Sequence, residues 1–475
     1  MKQSNQAMII AEADQTAESQ VNASNENSPL LFGLEDRPNL PTSILAGIQH
    51  LLAVLGGILT APLIVSLGMN LPLVETNYLL TSALLVSGIA TCIQISRVGV
   101  FGSGLLAIQG TSFTFIGPIL FAYYQLPESM APDDKLATIF GSCVAASVVM
   151  MMLGFQLNRI KKVLTPTVTG ATVILLGMSL VWSTLKNIYG SLSAAVSQTD
   201  IWIQIFLVVL VFGVTLVMSV WRNPWVKLSS IMAGLILGYI TALILGQVDF
   251  SALSTLKNTA LPVPFRFGID FDLGVFFVLL PVFIVSATES IGDLTATSAL
   301  SRVDTVGDSY WKRIRGGIMG DSLNSLIAGF FGTFPNTTFS QNNGVIRLTG
   351  IASRRIGYVV AFLLIILGFF PVIGGLFQVV PGAVIYGSTL LMFMLVGLAG
   401  FAILKGGKVG RRGQGIAAVS ILGGWGISFL VPHMSYLPGQ VSMILQFPVS
   451  TGAFLAMFLE LVVQKSLFKH RAVNI

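Results

Sequence analysis

The sequence predicts an all-α polytopic membrane protein, and three observations point to that class. Of the 475 residues, 54% are apolar and only 10% are charged, whereas soluble domains carry roughly 25% charged residues. Apolar stretches of about 20 residues, the length that crosses a bilayer, follow one another from Ile44 to Phe468. Basic residues gather in alternate loops, as the positive-inside rule requires. This composition excludes a soluble enzyme, a disordered scaffold and a nucleic-acid binder.

The apolar stretches divide into fourteen predicted membrane passages, some of them short or broken. Their approximate bounds are 44–68, 77–97, 104–126, 137–158, 165–186, 201–221, 229–247, 273–297, 316–332, 338–351, 356–373, 381–404, 413–431 and 446–468. An outer-membrane barrel would instead alternate apolar and polar residues in segments of about 10. Runs such as VVAFLLIILGFF do not alternate.

The positions of the basic residues predict the orientation. If the N-terminus is cytosolic, the inner loops hold 19 Lys and Arg residues and the outer loops hold 4. A wrong number of passages would scramble this asymmetry, so we expect an even number of passages and two cytosolic termini. Residues 1–40 are poor in apolar side chains and lack the pattern of a signal peptide, which predicts a disordered cytosolic tail.

Two passages are unusual for lipid-facing helices. Residues 102–118 and 332–350 are rich in Gly, Pro and hydroxyl side chains. Irregular backbone at membrane depth persists only where protein or a water-filled cavity satisfies it. The two segments are the third and tenth passages, which are equivalent in a chain of two seven-passage repeats; because seven is odd, such repeats are inverted. Paired interruptions of this kind indicate the binding site of a transporter. The alternative is that both segments are loops outside the membrane.

Ionisable residues inside the predicted passages are few, and they are candidates for function because their burial is costly. Glu289 and Asp293 are four residues apart and share one helical face. Like charges repel in a medium of low dielectric, so such a pair suits a proton carrier; a purely structural pair held by hydroxyls is the alternative. For Asp321 and His50 the alternatives are a helix-contact role and an ordinary buried histidine, respectively. Arg347 and Glu460 complete the set, and both are expected to lie toward the membrane surface.

Four motifs, taken together, resemble one family. Gln341–Gly350 reads QNNGVIRLTG, which resembles the signature of the nucleobase–ascorbate transporter family, also called nucleobase:cation symporter-2. That signature is Gln, Glu or Pro, then Asn, any residue, Gly, four residues and Thr. The pair Gln49–His50, the stretch Glu289–Asp293 and the run Phe334–Asn343 resemble three further motifs of the family. The resemblance covers roughly residues 40–470.

The resemblance implies a fold of two inverted seven-passage repeats that build a core domain and a gate domain. The core would comprise residues 41–162 (passages 1–4) and 268–374 (passages 8–11). The gate would comprise residues 163–267 (passages 5–7) and 375–475 (passages 12–14 with the C-terminal tail). In such proteins the third and tenth passages are each a short strand followed by a half-helix. The substrate would bind between these two passages, against the eighth.

The resemblance also implies roles for individual residues. Glu289 would accept hydrogen bonds from ring N–H groups of a base, Gln341 would pair with the ring edge through its amide, and Phe113 would stack on the ring. Ser340 and Ser112 would add contacts to the substrate. The residues assigned to proton coupling or to the supporting network are Asp293, Asp321, His50, Gln49 and Asn342.

The residue at the first signature position bears on the substrate. Uracil carriers of the family tend to have Glu there and His four residues after the eighth-passage Glu, whereas this chain has Gln341 and Asp293. An amide offers both a donor and an acceptor, which matches the alternating edge of an oxidised purine. Related xanthine carriers often have Asn before the stacking Phe, where this chain has Ser112. The smaller side chain makes room for the extra oxygen of urate. The sequence therefore leaves three substrate choices open: xanthine, urate, or both.

The expected function is proton-coupled secondary uptake of xanthine, uric acid or both across the cytoplasmic (inner) membrane by alternating access. No cofactor and no metal is expected, and Na⁺ is the alternative coupling ion. The expected partners are the oxidised purine and the lipid bilayer, with a homodimer implied by the family and no nucleic acid.

Four other functions are alternatives to this expectation. A uracil or other nucleobase symporter would share the fold. A related-fold anion transporter would need a cationic or helix-dipole site rather than Glu289. An enzyme is not expected, since the three His residues are far apart and no HExxH motif occurs. In a receptor or structural protein the two broken passages would have no purpose.

Overall fold

The two irregular segments interrupt an otherwise helical chain. The computed structural model describes residues 30–156, 165–193, 195, 197–223, 226–227, 229–250, 253, 261–407, 409–434 and 436–472. The helices of the first half are α1 (Leu40–Gly68), α2 (Leu73–Ser96), α3 (Ile116–Gln125), α4 (Pro132–Phe155), α5 (Pro166–Ser193), α6 (Gln198–Ser219) and α7 (Ser230–Ile244). Those of the second half are α8 (Leu273–Leu300), α9 (Gly307–Phe330), α10 (Gln341–Thr349), α11 (Arg354–Leu367), α12 (Pro371–Gln378), α13 (Gly382–Gly406), α14 (Arg411–Leu430), α15 (Gly439–Gln446) and α16 (Pro448–Ala472).

Local sequence signals set where the long helices begin. Asn39 precedes α1, and its Oδ1 accepts a hydrogen bond of 3.0 Å from the N–H of Thr42. Asp272 caps α8 in the same way, through a bond of 2.8 Å from the N–H of Val275. Asn and Asp side chains satisfy N–H groups that a helix leaves unpaired at its start.

The number of apolar helices identifies a multi-pass membrane protein. Within the described residues, eight helices are long and apolar enough to cross a membrane, or up to nine if α11 and α12, bent by 81° at their junction, form one span. Each of the fourteen predicted passages contains at least one helix. Outside the two broken passages, the largest difference in a start position concerns α9, which begins at Gly307 rather than at 316. Hydropathy does not predict residues 307–315 as part of the passage, because this stretch contains Lys312, Arg313 and Arg315.

Helix packing follows a paired pattern. In one part of the molecule α2 packs along α11 and α4 packs along α9. In the other, α5 packs along α13, α6 against α7, and α14 against α16. The approach of α5 to α13 is close enough that a Cβ atom on Gly177 would overlap the backbone of Gly397. Small residues allow such backbone contact between membrane helices.

The irregular segments meet in a two-stranded antiparallel ribbon. Strand β1 (Gln109–Thr111) pairs with β2 (Asn336–Thr338), with Gly110 opposite Thr337 at the centre. The ribbon continues through backbone bonds from Ser112 N–H to the Pro335 carbonyl and from Phe339 N–H to the Ile108 carbonyl, both 2.9 Å. A 3₁₀ turn (Phe113–Phe115) leads from β1 into α3, and α10 begins three residues after β2.

The N-terminal segment contacts the rest of the protein from residue 30 onward, whereas the predicted tail extends to residue 40. The N–H groups of Leu31 and Phe32 both donate to the Gly350 carbonyl, at 2.7 and 3.1 Å, and Ala352 N–H donates to the Phe32 carbonyl. Leu30 and Phe32 pack on small apolar clusters near the end of α10. The composition of residues 1–40 is polar on average, and this conceals the short apolar run Leu30–Phe32. Residues 1–29 of the predicted tail lie outside the described residues.

Candidate functional site

A cavity of about 390 Å³ lies beside the ribbon. The lining includes Gln49 and Gly56 of α1, Phe113 and Gln341, together with Met232 of α7 and Thr389 and Met392 of α13. The volume falls in the range of about 300–1,000 Å³ that is typical of small-molecule sites. Most of the lining is apolar, and the two amides, Gln49 and Gln341, supply both hydrogen-bond donors and acceptors.

Phe113, which lines the cavity, forms an aromatic pair with Phe339, which is not among the lining residues. The rings of Phe113 and Phe339 are nearly parallel, with an interplanar angle of 27° and centroids 6.3 Å apart. Phe339 is held against two glycines, because a Cβ atom on Gly57 or Gly110 would lie 2.8 or 2.7 Å from its ring. Phe393 of α13 meets the Phe113 ring edge-on at a centroid distance of 6.5 Å. Phe113 therefore presents a flat apolar surface fixed from both sides.

Glu289 lies on α8, close to this aromatic pair but outside the cavity lining. Its Oε2 accepts a hydrogen bond of 2.9 Å from the hydroxyl of Thr114, the residue after Phe113. Asp293 is four residues further along α8 and lies on the same face. Its backbone carbonyl accepts a bond of 3.2 Å from the Asn343 amide. The predicted carboxylate pair is thus placed beside both broken segments.

Asp321 is the centre of a buried polar network on α9. One carboxylate oxygen accepts hydrogen bonds from Gln94, at 3.3 Å, and from Thr338, at 3.4 Å. The other accepts a bond from the hydroxyl of Ser290, which also lies 3.1 Å from the Thr337 hydroxyl. This network holds α2, α8 and α9 to the ribbon, because its hydrogen bonds run between side chains of different elements.

His50 and Asn342 form a second buried link. His50 Nδ1 lies 2.7 Å from Asn342 Oδ1, and the Asn342 amide donates to the Leu106 carbonyl at 2.5 Å. Since that amide must be the donor toward Leu106, its oxygen accepts, and His50 carries a hydrogen on Nδ1. Within the described residues His50 Nε2 has no hydrogen-bond partner. Asn342 thereby joins α1, the approach to β1 and the start of α10.

The two serines of the predicted set occupy different environments. Ser112 is buried, and its hydroxyl has no partner among the described residues. Ser340 is exposed at the start of α10 and makes no side-chain capping bond. The structure therefore brings Gln49, Phe113 and Gln341 to one cavity and places Glu289 next to it. Asp321, His50 and Asn342 lie in the surrounding polar links.

The sequence reasoning missed several residues of this region. Thr114, Gln94, Gln109 and Thr338 all hydrogen-bond to or around the predicted carboxylates. Gln94 carried a usable signal, because an amide in the middle of an apolar passage is costly and therefore a candidate for function. The hydroxyls had none, since Thr and Ser are common throughout these passages.

Chemically, the arrangement suits a planar ring with polar edges. Phe113 offers an apolar face, Gln341 and Gln49 offer amides that both donate and accept, and Glu289 offers an acceptor. The fold and this site define a transporter: a polytopic helical protein with two broken segments that meet at a cavity between packed helix groups.

Comparisons with known proteins agree. The family model Xan_ur_permease, described as "Permease family", matches residues 41–433. The xanthine permease XanQ of Escherichia coli K12 is 35% identical over 445 residues, which cover 92% of this chain and 94% of XanQ. The xanthine permease XanP of the same organism is 34% identical over 443 residues, covering 93% and 96%. The chain belongs to the nucleobase–ascorbate transporter family, and the predictions of that family and of a transporter rather than an enzyme are confirmed.

Solved structures show the fold alone. The transmembrane domain of the cyanobacterial bicarbonate transporter BicA aligns with a TM-score of 0.56 and 15% identity, covering 90% of this chain and 99% of that domain. The structure of SLC26A9 aligns with a TM-score of 0.58 and 13% identity, covering 89% and 66%. The prediction of a polytopic helical fold is confirmed at this level.

Proposed function

We propose that this protein imports xanthine, uric acid or both across the cytoplasmic membrane, driven by the entry of protons. The observation that carries the proposal is that Gln341 and Phe113 line one cavity, with Glu289 adjacent. An amide, an aromatic face and a carboxylate are the groups that an oxidised purine would engage. The similarity to two xanthine permeases, together with Gln341 where uracil carriers tend to have Glu, supports a purine rather than a pyrimidine.

In the proposed mechanism, a core of passages 1–4 and 8–11 moves against a gate of passages 5–7 and 12–14. The packing supports this division, because α2 with α11 and α9 with α4 are equivalent pairs if the chain is two inverted repeats. The cavity is lined by residues of α1 and α10, which belong to the proposed core, and by residues of α7 and α13, which belong to the proposed gate. A shift between the two groups would therefore open it alternately to each side.

The mechanism assigns proton coupling to the carboxylates near the site. Asp293 and Asp321 lie within electrostatic reach of each other, and Glu289 is one turn from Asp293. A proton bound here would reduce the repulsion among the carboxylates, and a base whose ring N–H groups bond to Glu289 would bind together with it. Carboxylates and carbonyls of a broken passage also suit Na⁺, so the coupling ion is decided by experiment.

An uptake experiment tests the proposal. Cells that make the protein are given labelled xanthine, with and without a protonophore, with Na⁺ replaced by choline, and with unlabelled urate, uracil or ascorbate as competitors. We expect uptake that collapses with the protonophore, survives Na⁺ removal and is blocked by urate but not by uracil. Uptake of uracil instead of xanthine by correctly inserted protein would overturn the assignment of Gln341.

Substitution of Glu289 tests the site itself. Glu289→Gln removes the charge with little change of shape, and we expect uptake to fall to background while the protein is still inserted. Glu460→Gln is the matched control, because Glu460 lies on α16, a helix that contributes no residue to the cavity lining. Normal uptake by Glu289→Gln would refute the proposed site.

Orientation and assembly complete the proposal. The proposal puts both termini in the cytosol, and the distribution of the basic residues supports this orientation. A homodimer formed through the gate is supported by the family resemblance and by the apolar outer face of α6, where Trp202 and Phe206 are exposed. The mass of the protein in lipid nanodiscs distinguishes a dimer from a monomer.

A further inference from the structure

Thr114 is the one side chain that hydrogen-bonds to Glu289 within the described residues. Its hydroxyl donates to Oε2 of Glu289 at 2.9 Å, and the Thr114 side chain is only 5% exposed. Thr114 belongs to the first broken segment and Glu289 to α8, so this bond joins two elements that are 175 residues apart. It also lies directly behind Phe113, which faces the cavity.

The backbone around Thr114 is fixed on both sides. Before it, Ser112 N–H donates to the Pro335 carbonyl of the opposite segment. After it, the ring of Phe115 meets Phe283 of α8 edge-on, with centroids 4.6 Å apart, and both rings are buried. The turn Phe113–Phe115 is therefore anchored to α8 at two points, by an aromatic contact and by the hydrogen bond to Glu289.

The bond determines which part of the carboxylate is available. A carboxylate has two oxygens that each accept hydrogen bonds, and here Thr114 occupies Oε2. Within the described residues no side chain donates to Oε1. Thr is branched at Cβ and has few side-chain conformations, so it holds its partner with little freedom of its own.

We infer that Thr114 is the positioning residue of the site: it holds Glu289 in the orientation that presents Oε1 to a ring N–H of the base. This inference rests on the proposed function. It adds a specific element, namely that the residue after the stacking Phe113 sets the direction of the substrate-binding carboxylate, so that the ring face and the ring edge are recognised by adjacent positions of one turn.

Two substitutions separate the hydroxyl from the packing. Thr114→Val keeps the branched shape and removes the O–H donor, whereas Thr114→Ser keeps the donor and removes a methyl group. Thr172→Val is the matched control, since Thr172 is equally buried and its hydroxyl donates only to the Val168 carbonyl within α5. The Thr114–Glu289 bond is present in the protein without substrate, so its loss affects affinity only through the orientation of Glu289. A carboxylate that is turned away loses its own hydrogen bond to the base, and a bond to a charged group corresponds to roughly tenfold or more in affinity.

The measurements are xanthine binding to purified protein and the KM and maximal rate of uptake. We expect Thr114→Val to raise Kd and KM for xanthine by about tenfold or more with a smaller change in maximal rate. Thr114→Ser should restore both to within about twofold, and Thr172→Val should match the wild type. An unchanged Kd for Thr114→Val, or an equal loss for Thr114→Ser, would overturn the inference.

A double variant distinguishes this inference from the proposed function. If Thr114 acts through Glu289, then Thr114→Val adds no further loss of binding in a Glu289→Gln background, because the two effects are not additive. Full additivity would show that Thr114 acts elsewhere. If Glu289→Gln itself binds xanthine normally, the proposed site fails. If Glu289→Gln loses binding while Thr114→Val keeps it, only the positioning role fails.

Discussion

Replacing Asn342 by Ala should destabilise the protein by an amount that the structure allows us to work out. The Asn342 side chain is 1% exposed and satisfies two buried groups, Nδ1 of His50 and the carbonyl of Leu106. Alanine can replace neither bond. A buried polar group left without a partner costs about 1–3 kcal/mol, so the two together cost about 2–6 kcal/mol.

The expected change in melting temperature follows from the size of the chain. Unfolding entropy is about 2.1 cal/mol/K per residue, which for 475 residues is about 1 kcal/mol/K. A loss of about 2–6 kcal/mol thus lowers the melting temperature by about 2–6 °C. The assay is thermal unfolding of each variant, purified as a fluorescent fusion in the same detergent. Size-exclusion chromatography with fluorescence detection measures the fraction of protein that stays folded at each temperature.

The controls separate the buried link from a general effect of losing an amide. Asn187→Ala removes a half-buried amide of α5 that makes no side-chain hydrogen bond within the described residues, and it should leave the melting temperature unchanged. The double variant His50→Ala/Asn342→Ala should lose less than the sum of its single variants, because the His50–Asn342 bond is counted in both. A melting temperature for Asn342→Ala within about 1 °C of the wild type would refute this reasoning.

Three further outcomes are expected. Gly110→Ala should raise the KM for xanthine and destabilise the protein by about 1–3 kcal/mol, since its Cβ would lie 2.7 Å from the Phe339 ring; thermal unfolding and uptake measure both effects. Gln341→Glu should shift competition from urate toward uracil without loss of expression, and unchanged selectivity would remove Gln341 from the site. Arg354→Gln should change stability by less than about 1 kcal/mol, because its ion pair with Glu35 lies at the exposed surface; a larger loss of melting temperature would show that this pair holds the N-terminal segment in place.

The broken passages were predictable from the sequence because their composition is chemically unusual. Gly, Pro and hydroxyl residues at membrane depth require an irregular backbone with partners inside the protein. The ribbon appears where the two stretches 102–118 and 332–350 were expected to be irregular. The register of the ribbon could not be predicted from the sequence, because strands of three residues carry no usable alternation of polar and apolar positions.

The residues of the site also divide into those that the sequence indicates and those that only the structure reveals. Glu289 stands out in the sequence, since a carboxylate in apolar surroundings is costly, whereas Gln341 is indicated by its place in the family signature QNNGVIRLTG. The part of the lining formed by Met232 and Thr389 does not stand out, because an apolar or hydroxyl side chain that faces a cavity looks the same in sequence as one that faces lipid or a neighbouring helix. Only the packing of α7 and α13 against α1 reveals it.

The separation of Glu289 from the cavity has a mechanistic consequence. Gln341 and Phe113 line the cavity, whereas Glu289 lies behind the Phe113 turn, bonded to Thr114. A base that engages both Gln341 and Glu289 must therefore reach past the edge of the Phe113 ring. The Phe113 ring contacts Phe339, which follows β2, and Phe393 of α13. In the proposed division, Phe339 belongs to the core and Phe393 to the gate, so the proposed shift of core against gate would change the space around Phe113. The proposed mechanism would thereby link access to Glu289 and the alternation of the two domains through a single aromatic side chain.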